Sequence, residues 1–135
     1  MDLTNYLHNL QVGLYANIRG AYPYCGGTLL AAEWVITAAH CVEMAMKCGS
    51  APVGEPFSYN ALTNATLFAR IGDHNLTETE TSERDRLVQR IIIHPDYQLR
   101  SSSSENDIAL LKLEKPVMPG NSPDVCLSIT IDVVL

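Results

Sequence analysis

The amino-acid sequence predicts an all-β fold, a small barrel of six strands. Short apolar runs recur along the chain and are separated by clusters of glycine, proline, asparagine and serine, the pattern of strands joined by turns. No apolar stripe with the helical period persists over the roughly ten residues that a helix needs, outside one alanine-rich stretch. The length of 135 residues and the apolar fraction of 47% fit one globular domain.

The first three predicted strands lie at residues 11–18, 28–31 and 34–37. The third overlaps the alanine-rich stretch, residues 29–46, where intrinsic propensity alone favours a helix. The apolar, β-branched run WVIT lies inside that stretch and favours a strand instead. We therefore interpret the stretch as strand followed by a helical turn.

The other three predicted strands lie at residues 65–71, 87–94 and 107–113. Residues 46–64 contain three prolines or glycines in close succession after Cys48-Gly49, and residues 99–106 contain four consecutive serines. Both segments are predicted to be surface loops. No repeat at a fixed period is present, and no composition change marks a linker between two domains.

Acidic residues outnumber basic ones. The chain has 15 aspartates and glutamates against 9 lysines and arginines, which gives a net charge of −6. Nucleic-acid backbones are bound through clusters of lysine and arginine, and the sequence contains no such cluster. The charge pattern therefore argues against a nucleic-acid partner.

The sequence also predicts no membrane span. Its longest weakly charged stretch, residues 29–46, contains Glu33, His40 and Glu43, and charges at the centre of a bilayer are costly. The opening residues MDLTNYLH lack the basic region, the continuous apolar region and the cleavage site of a signal peptide. The four cysteines, an even number, nevertheless favour an extracellular protein with disulfides.

Two residues carry the chemistry that the sequence suggests. His40 follows the apolar run at residues 34–37 and is preceded by two alanines too small to crowd it, which gives the access that a general base requires. Asp107 stands at the head of an apolar strand, where burial of its charge is expensive unless a partner compensates it. The N–H group of a histidine could be that partner.

The motifs around these residues resemble the trypsin/chymotrypsin family of serine proteases in sequence and in order. They are CGGTLL at residues 25–30, WVITAAHC at 34–41 and NDIAL at 106–110, joined by RIGDHNL at 70–76, IHPDY at 93–97 and VCL at 125–127. The resemblance covers residues 11–127, leaving residues 1–10 and a tail, residues 128–135, that diverge from the family. It implies an antiparallel Greek-key barrel, the first of the two barrels of the family fold, with the second missing.

The resemblance assigns His40 as the general base of a Ser-His-Asp triad and Asp107 as the acid that orients it. It implies a disulfide between Cys25 and Cys41, and it places Cys126 where some members are linked to a light chain. Cys48 has no counterpart in the family. The separation of 67 positions between His40 and Asp107 exceeds the usual family spacing. The surplus falls mainly at residues 46–64, which are expected to overhang the cleft, either to control access or as a solvated loop.

A metal and a modification are implied as well. Five residues align with the loop that binds calcium in trypsin-like enzymes, and oxygen ligands suit that ion: Asp73, Asn75, Glu78, Glu80 and Glu83. The alternative is an acidic solvated loop. Asn64 and Asn75 each begin an Asn-X-Thr acceptor for N-glycosylation, which applies if the chain is exported. The chemistry of the family requires no cofactor.

The family's nucleophile is absent from the sequence, because no Gly-Asp-Ser occurs in the 135 residues. We therefore expect a secreted serine endopeptidase family member that is truncated before its serine and inactive as given, acting in its full form on protein or peptide substrates. One alternative is a non-catalytic binding or decoy module built on the barrel. Another is a zinc site made by Cys25, His40, Cys41 and Cys48, against which the spacing argues.

Overall fold

Six antiparallel strands close into a barrel in the computed structural model, which describes residues 11–46, 50–72 and 85–117. This confirms the predicted fold class. The strands are β1 (Gln11–Ala16), β2 (Cys25–Ala31), β3 (Trp34–Thr37), β4 (Leu67–Ile71), β5 (Asp85–Ile93) and β6 (Ala109–Leu113). All six lie at or within a few residues of the predicted runs. A 3₁₀ turn (Asn17–Arg19) follows β1, and two short helices, α1 (Ala39–Ala45) and α2 (Tyr59–Thr63), lie between β3 and β4.

The order of the strands around the barrel brings distant segments together. The sequence of hydrogen-bonded neighbours is β1-β2-β3-β6-β5-β4, and β1 pairs with β4 to close the barrel. β3 therefore pairs with β6 rather than with its sequence neighbour, and Thr37 at the end of β3 faces Ala109 at the start of β6. As a consequence, the chain that leaves β3 and the chain that enters β6 meet at the same end of the barrel.

The core lies inside the barrel. Side chains alternate between the two faces of each strand, so β4 and β6 both show buried residues at every second position. Leu14, Val35, Ile91 and Leu111 are fully buried at its centre. Neither helix of the described residues is long and apolar enough to cross a membrane.

Two adjacent glycines at the start of β2 provide a test of how tightly this barrel is packed. A Cβ atom on Gly27 would lie 2.8 Å from the carbonyl oxygen of Ile36 and 3.0 Å from a methyl carbon of Val35, whereas on Gly26 it would lie 3.6 Å from the oxygen of Val12. We expect Gly27→Ala to lower the free energy of unfolding by roughly 1–3 kcal/mol, because the obstructing oxygen belongs to the paired backbone. Gly26→Ala is the matched control and should change it by less than about 0.5 kcal/mol. Urea denaturation measures both, and equal losses would contradict the packing argument.

The segment predicted as a surface loop after α1 is partly folded into the domain. Phe57 forms an antiparallel bridge with Ile91 of β5, and the N–H of Gly54 donates to the carbonyl of Ile93 over 2.9 Å. Helix α2 follows, and Tyr59 within it is 1% exposed. The prediction of a loop was wrong for these residues, since Phe57 and Tyr59 supply enough apolar surface to pack against the barrel.

Candidate active site

His40 is the second residue of α1 and points away from the core. Ala39, Cys41, Val42 and Ala45 form the buried face of this helix, whereas the side chain of His40 is 55% exposed. Ala38, between β3 and α1, is still extended, with φ −80° and ψ 142°. The helical conformation begins at the next residue, Ala39. The histidine therefore stands at the rim of the barrel, open to a reacting group.

Three side chains from other segments donate hydrogen bonds to carbonyl groups of α1. The hydroxyl of Tyr24 donates to the carbonyl of Cys41 over 2.9 Å, and the hydroxyl of Tyr59 donates to that of Ala45 over 2.8 Å. The Nε of Arg19 donates to the carbonyl of Met44 over 2.6 Å. The carbonyls of Met44 and Ala45 are in the last turn and have no partner within the helix, so Arg19 and Tyr59 satisfy them. Tyr24 adds a further hydrogen bond to the carbonyl of Cys41. Burial raises the pKa of both phenols, which keeps them protonated as donors.

Asp107 contacts His40 at two points. One carboxylate oxygen, Oδ2, lies 2.6 Å from Nδ1 of the imidazole, and the other, Oδ1, accepts the backbone N–H of His40 over 2.7 Å. The side chain of Asp107 is 20% exposed. Asn106, immediately before it, adopts a left-handed conformation with φ 58°, which turns the chain into β6. The two residues that the sequence singled out are thus in direct contact.

Burial by itself raises the pKa of the Asp107 carboxyl group. Hydrogen bonds from the ring and backbone of His40, the charge of His40 and the N–H of Ala39 outweigh it, so the pKa lies below its ordinary value of 3.8. The structure therefore favours an ionised carboxylate facing the imidazole. A carboxylate in this position selects the tautomer that carries its proton on Nδ1 and leaves Nε2 free to accept another.

This depressed pKa predicts how acid affects stability. The contact with His40 stabilises the fold fully above pH 3.8, the ordinary value, and this contribution is lost as the pH falls through the lower pKa of the folded state. We expect the difference in free energy of unfolding between the wild type and Asp107→Asn to shrink as the pH is lowered below that value. Urea denaturation of both proteins between about pH 6 and 3 measures it, and a difference that stays constant would contradict the assignment.

A disulfide joins Cys25, the first residue of β2, to Cys41, the residue after His40, with 6.0 Å between their Cα atoms. It ties α1 to the barrel next to the histidine, and closing a loop of this length stabilises a fold by about 3 kcal/mol. The ligand atoms of Cys25, His40 and Cys41 lie within 4.8 Å of one another. Because both sulfur atoms are in the disulfide, they are not available as the thiolates that zinc requires, which argues against the zinc alternative.

Of the other candidate residues, the structure describes Asn64. Asn64 is exposed at the end of α2, in a left-handed conformation with φ 56°. The remaining ones lie outside the described residues: Cys48, Asp73, Asn75, Glu78, Glu80, Glu83 and Cys126. Calcium binding, glycosylation of Asn64 and Asn75, and the pairing of Cys48 and Cys126 stay predictions.

Glu43 was not singled out from the sequence. It lies on α1, three residues after His40, and both its carboxylate oxygens accept hydrogen bonds. Oε2 accepts from the hydroxyl of Tyr97 over 2.5 Å, and Oε1 accepts from the backbone N–H of Arg100 over 2.7 Å. The only signal in the sequence was its spacing from His40, which is common on any helix.

Comparison with known proteins agrees with this geometry. The family model described as Trypsin matches residues 3–129. Chymotrypsin-like elastase family member 1 of Canis lupus familiaris is 36% identical over 96 residues, which are 71% of this chain and 30% of that protein. Vitamin K-dependent protein C of Oryctolagus cuniculus is 37% identical over 92 residues, 68% of this chain and 16% of that protein.

A solved structure of Kallikrein-related peptidase 10 in complex with Zn²⁺ superimposes with a TM-score of 0.52 at 31% identity, covering 86% of this chain and 40% of that one. The barrel and its histidine–aspartate contact are thus of the trypsin-like protease class. The chain belongs to the trypsin family of serine proteases. It spans less than half the length of the proteins named here.

Proposed function

We propose that this chain supplies the general base and its orienting acid to a secreted serine endopeptidase. The observation that carries the proposal is the two-point contact between His40 and Asp107, at 2.6 and 2.7 Å. Membership of the trypsin family supplies the reaction class, the hydrolysis of peptide bonds in proteins or peptides. In this role the imidazole of His40 removes the proton of a serine hydroxyl and later delivers it to the leaving amine.

The geometry suits this proton transfer. The proton on Nδ1 is held by Oδ2 of Asp107, so the lone pair on Nε2 is directed away from the carboxylate. When the ring takes up a second proton, the adjacent carboxylate stabilises the positive charge of the imidazolium. The exposed position of His40 leaves room for a serine and a substrate carbonyl beside Nε2.

The residues of this sequence do not supply the nucleophilic serine of the proposed enzyme. The 135 residues contain no Gly-Asp-Ser, so the serine and the donors that stabilise the oxyanion come from polypeptide outside them. We infer that residues 1–135 by themselves do not hydrolyse peptides. A disulfide-linked light chain through Cys126 and a structural calcium ion at the acidic loop are further proposals, which the family resemblance supports.

Secretion is part of the same proposal. The Cys25–Cys41 disulfide supports it, because such bonds persist in oxidising compartments. In a secreted protein the exposed Asn64 would be accessible for N-glycosylation.

The test compares two proteins, one expressed from the complete coding sequence in a secreting host and one limited to residues 1–135. Both are incubated with a library of fluorogenic peptides at neutral pH with calcium. We expect cleavage by the first protein, inhibition of it by a sulfonyl fluoride that modifies activated serines, and no cleavage by the second.

Two outcomes would contradict the proposal. Cleavage by residues 1–135 that disappears in His40→Ala would show that the nucleophile lies within them. No cleavage by the complete protein, together with tight binding of another protein, would favour the non-catalytic binding module instead. The comparisons do not favour that module.

A further inference from the structure

The two residues of the proposed active site lie on segments that are far apart in the sequence and belong to different elements. His40 is on α1, whereas Asp107 ends a loop that begins after β5. At its base this loop is closed by the N–H of His94, which donates to the carbonyl of Ile108 over 3.0 Å. Its interior between residues 97 and 106 has no strand or helix to fix its position. The distance from acid to base therefore depends on what holds this loop against α1.

The carboxylate of Glu43 joins the two segments at two points. It extends from α1, one turn after His40, and accepts hydrogen bonds from the Tyr97 hydroxyl and the Arg100 N–H. Arg100 has a φ of 58°, a left-handed conformation in which its N–H is directed at the carboxylate. Glu43 is half-buried, so water competes less for its oxygens than at an open surface. Hydrogen bonds to a carboxylate are also roughly twice as strong as those between neutral groups.

Tyr97 is the member of the loop whose side chain makes this contact. Its ring is 7% exposed, and burial, the hydrogen bond to Glu43 and the charges of Glu43 and Asp107 all raise the pKa of its hydroxyl. The hydroxyl therefore remains a donor over the whole range in which a protease of this family works. Tyr97 stands in the loop that ends in Asp107, so its bond to Glu43 holds this part of the loop against α1.

We propose that Glu43 is a positioning residue for the His40–Asp107 pair, which it acts on by tying the helix that carries the base to the loop that ends in the acid. The catalytic consequence rests on the proposed function, whereas the geometric one does not. The contact between the acid and the base, and the packing of Tyr97 and Leu99 on the core, also hold the loop near α1. Glu43 adds two hydrogen bonds from α1 to the part of the loop that precedes Asp107.

A spectroscopic signal of the pair measures the positioning directly. The Nδ1 proton of His40, held between the imidazole and Asp107, gives a downfield proton resonance, and its exchange with water reports how often the contact opens. The protein expressed from its complete coding sequence, labelled with ¹⁵N-histidine, is compared as wild type, Glu43→Ala, Glu43→Gln and Glu105→Gln. The resonance is assigned by its loss in His40→Ala.

We expect proton exchange to be about tenfold faster in Glu43→Ala, since the loop can then move away from α1. Glu43→Gln keeps one acceptor oxygen and should lie between this variant and the wild type. Glu105→Gln is the matched control, because it removes one negative charge from the exposed part of the same loop. It should leave the exchange rate within about twofold of the wild type, and an equal effect of Glu105→Gln and Glu43→Gln would overturn the proposal.

Kinetics give the second readout. A looser pair should lower kcat of Glu43→Ala by about tenfold with KM changed by less than about threefold, because a misaligned base and acid raise the barrier of the chemical step. Tyr97→Phe removes only the hydroxyl and should lower kcat in the same direction, and adding Glu43→Gln to it should cost less than the two single effects combined. If Glu43→Ala fails to fold, Glu43→Gln and Tyr97→Phe carry the test.

Different results would contradict the positioning role of Glu43 and the proposed protease function. Normal exchange of the Nδ1 proton and normal kcat in Glu43→Gln and Tyr97→Phe would overturn the positioning role and leave the protease function intact. Absence of peptide cleavage by the wild type would overturn the function, whereas faster exchange in the Glu43 variants would still establish the positioning role. Variants that lose stability in urea but keep the wild-type exchange rate would show that Glu43 is only structural.

Discussion

Replacing His40 with alanine is expected to lower kcat for peptide cleavage by the protein of the complete coding sequence by about 10⁴-fold or more. The variant removes the imidazole, which among the described residues contacts Asp107 and is open to an incoming serine. Without a base, the serine hydroxyl has to lose its proton to water. KM should change by less than about threefold, since His40 contributes mainly to the transition state. Steady-state kinetics with a peptide found in the library screen measure both constants.

His94→Gln is the matched control for this prediction. This histidine follows β5, and its Nδ1 accepts only the backbone N–H of Asp96, over 3.0 Å, among the contacts of the described residues. Its loss should alter kcat by less than about threefold. If His40→Ala retained more than a tenth of the wild-type kcat, the base would be another residue and the proposed function would be wrong.

The sequence predicted the barrel because its signals are local. The runs WVIT and ALLKL, with apolar residues at every second position or nearly continuous, carry the strand pattern wherever they are in the fold. The closure of the barrel does not follow from such local signals. The pairing of Thr37 with Ala109 joins residues more than seventy positions apart, and such pairings follow from how all six strands pack together. They could be expected here only through resemblance to a family.

The segment after α1 and the role of Glu43 illustrate what the sequence could not show. Prolines and glycines around residues 52–56 correctly indicate turns, but the burial of Phe57 and Tyr59 depends on a free position beside β5 that only the folded barrel provides. In the same way, a glutamate three residues after a histidine has no distinctive pattern. Its partners, the hydroxyl of Tyr97 and the N–H of Arg100, lie 54 and 57 residues further along the chain.

Asp107→Asn should lower kcat by about 10⁴-fold while the fold is kept. The reason lies in the two contacts of the carboxylate. Asparagine has one acceptor oxygen, and if this oxygen keeps the backbone N–H of His40, its NH₂ group faces Nδ1. Nδ1 must then be the acceptor, so the proton of the neutral ring moves to Nε2. The nitrogen that should take the proton of the serine already carries one.

A control variant and a spectroscopic measurement distinguish two roles of Asp107, orientation of the His40 ring and stabilisation through its negative charge. Glu105→Gln removes the same charge two residues earlier in the loop and should leave kcat within about twofold, since an exposed carboxylate is screened by water and salt. In Asp107→Asn, the ¹⁵N shifts of the His40 ring should show the proton on Nε2, whereas in the wild type they should show it on Nδ1. If Asp107→Asn kept the wild-type tautomer and still lost activity, the acid would act through its charge alone. If it lost less than tenfold in kcat, Asp107 would have no part in the reaction, and its contact with His40 would be a structural ion pair.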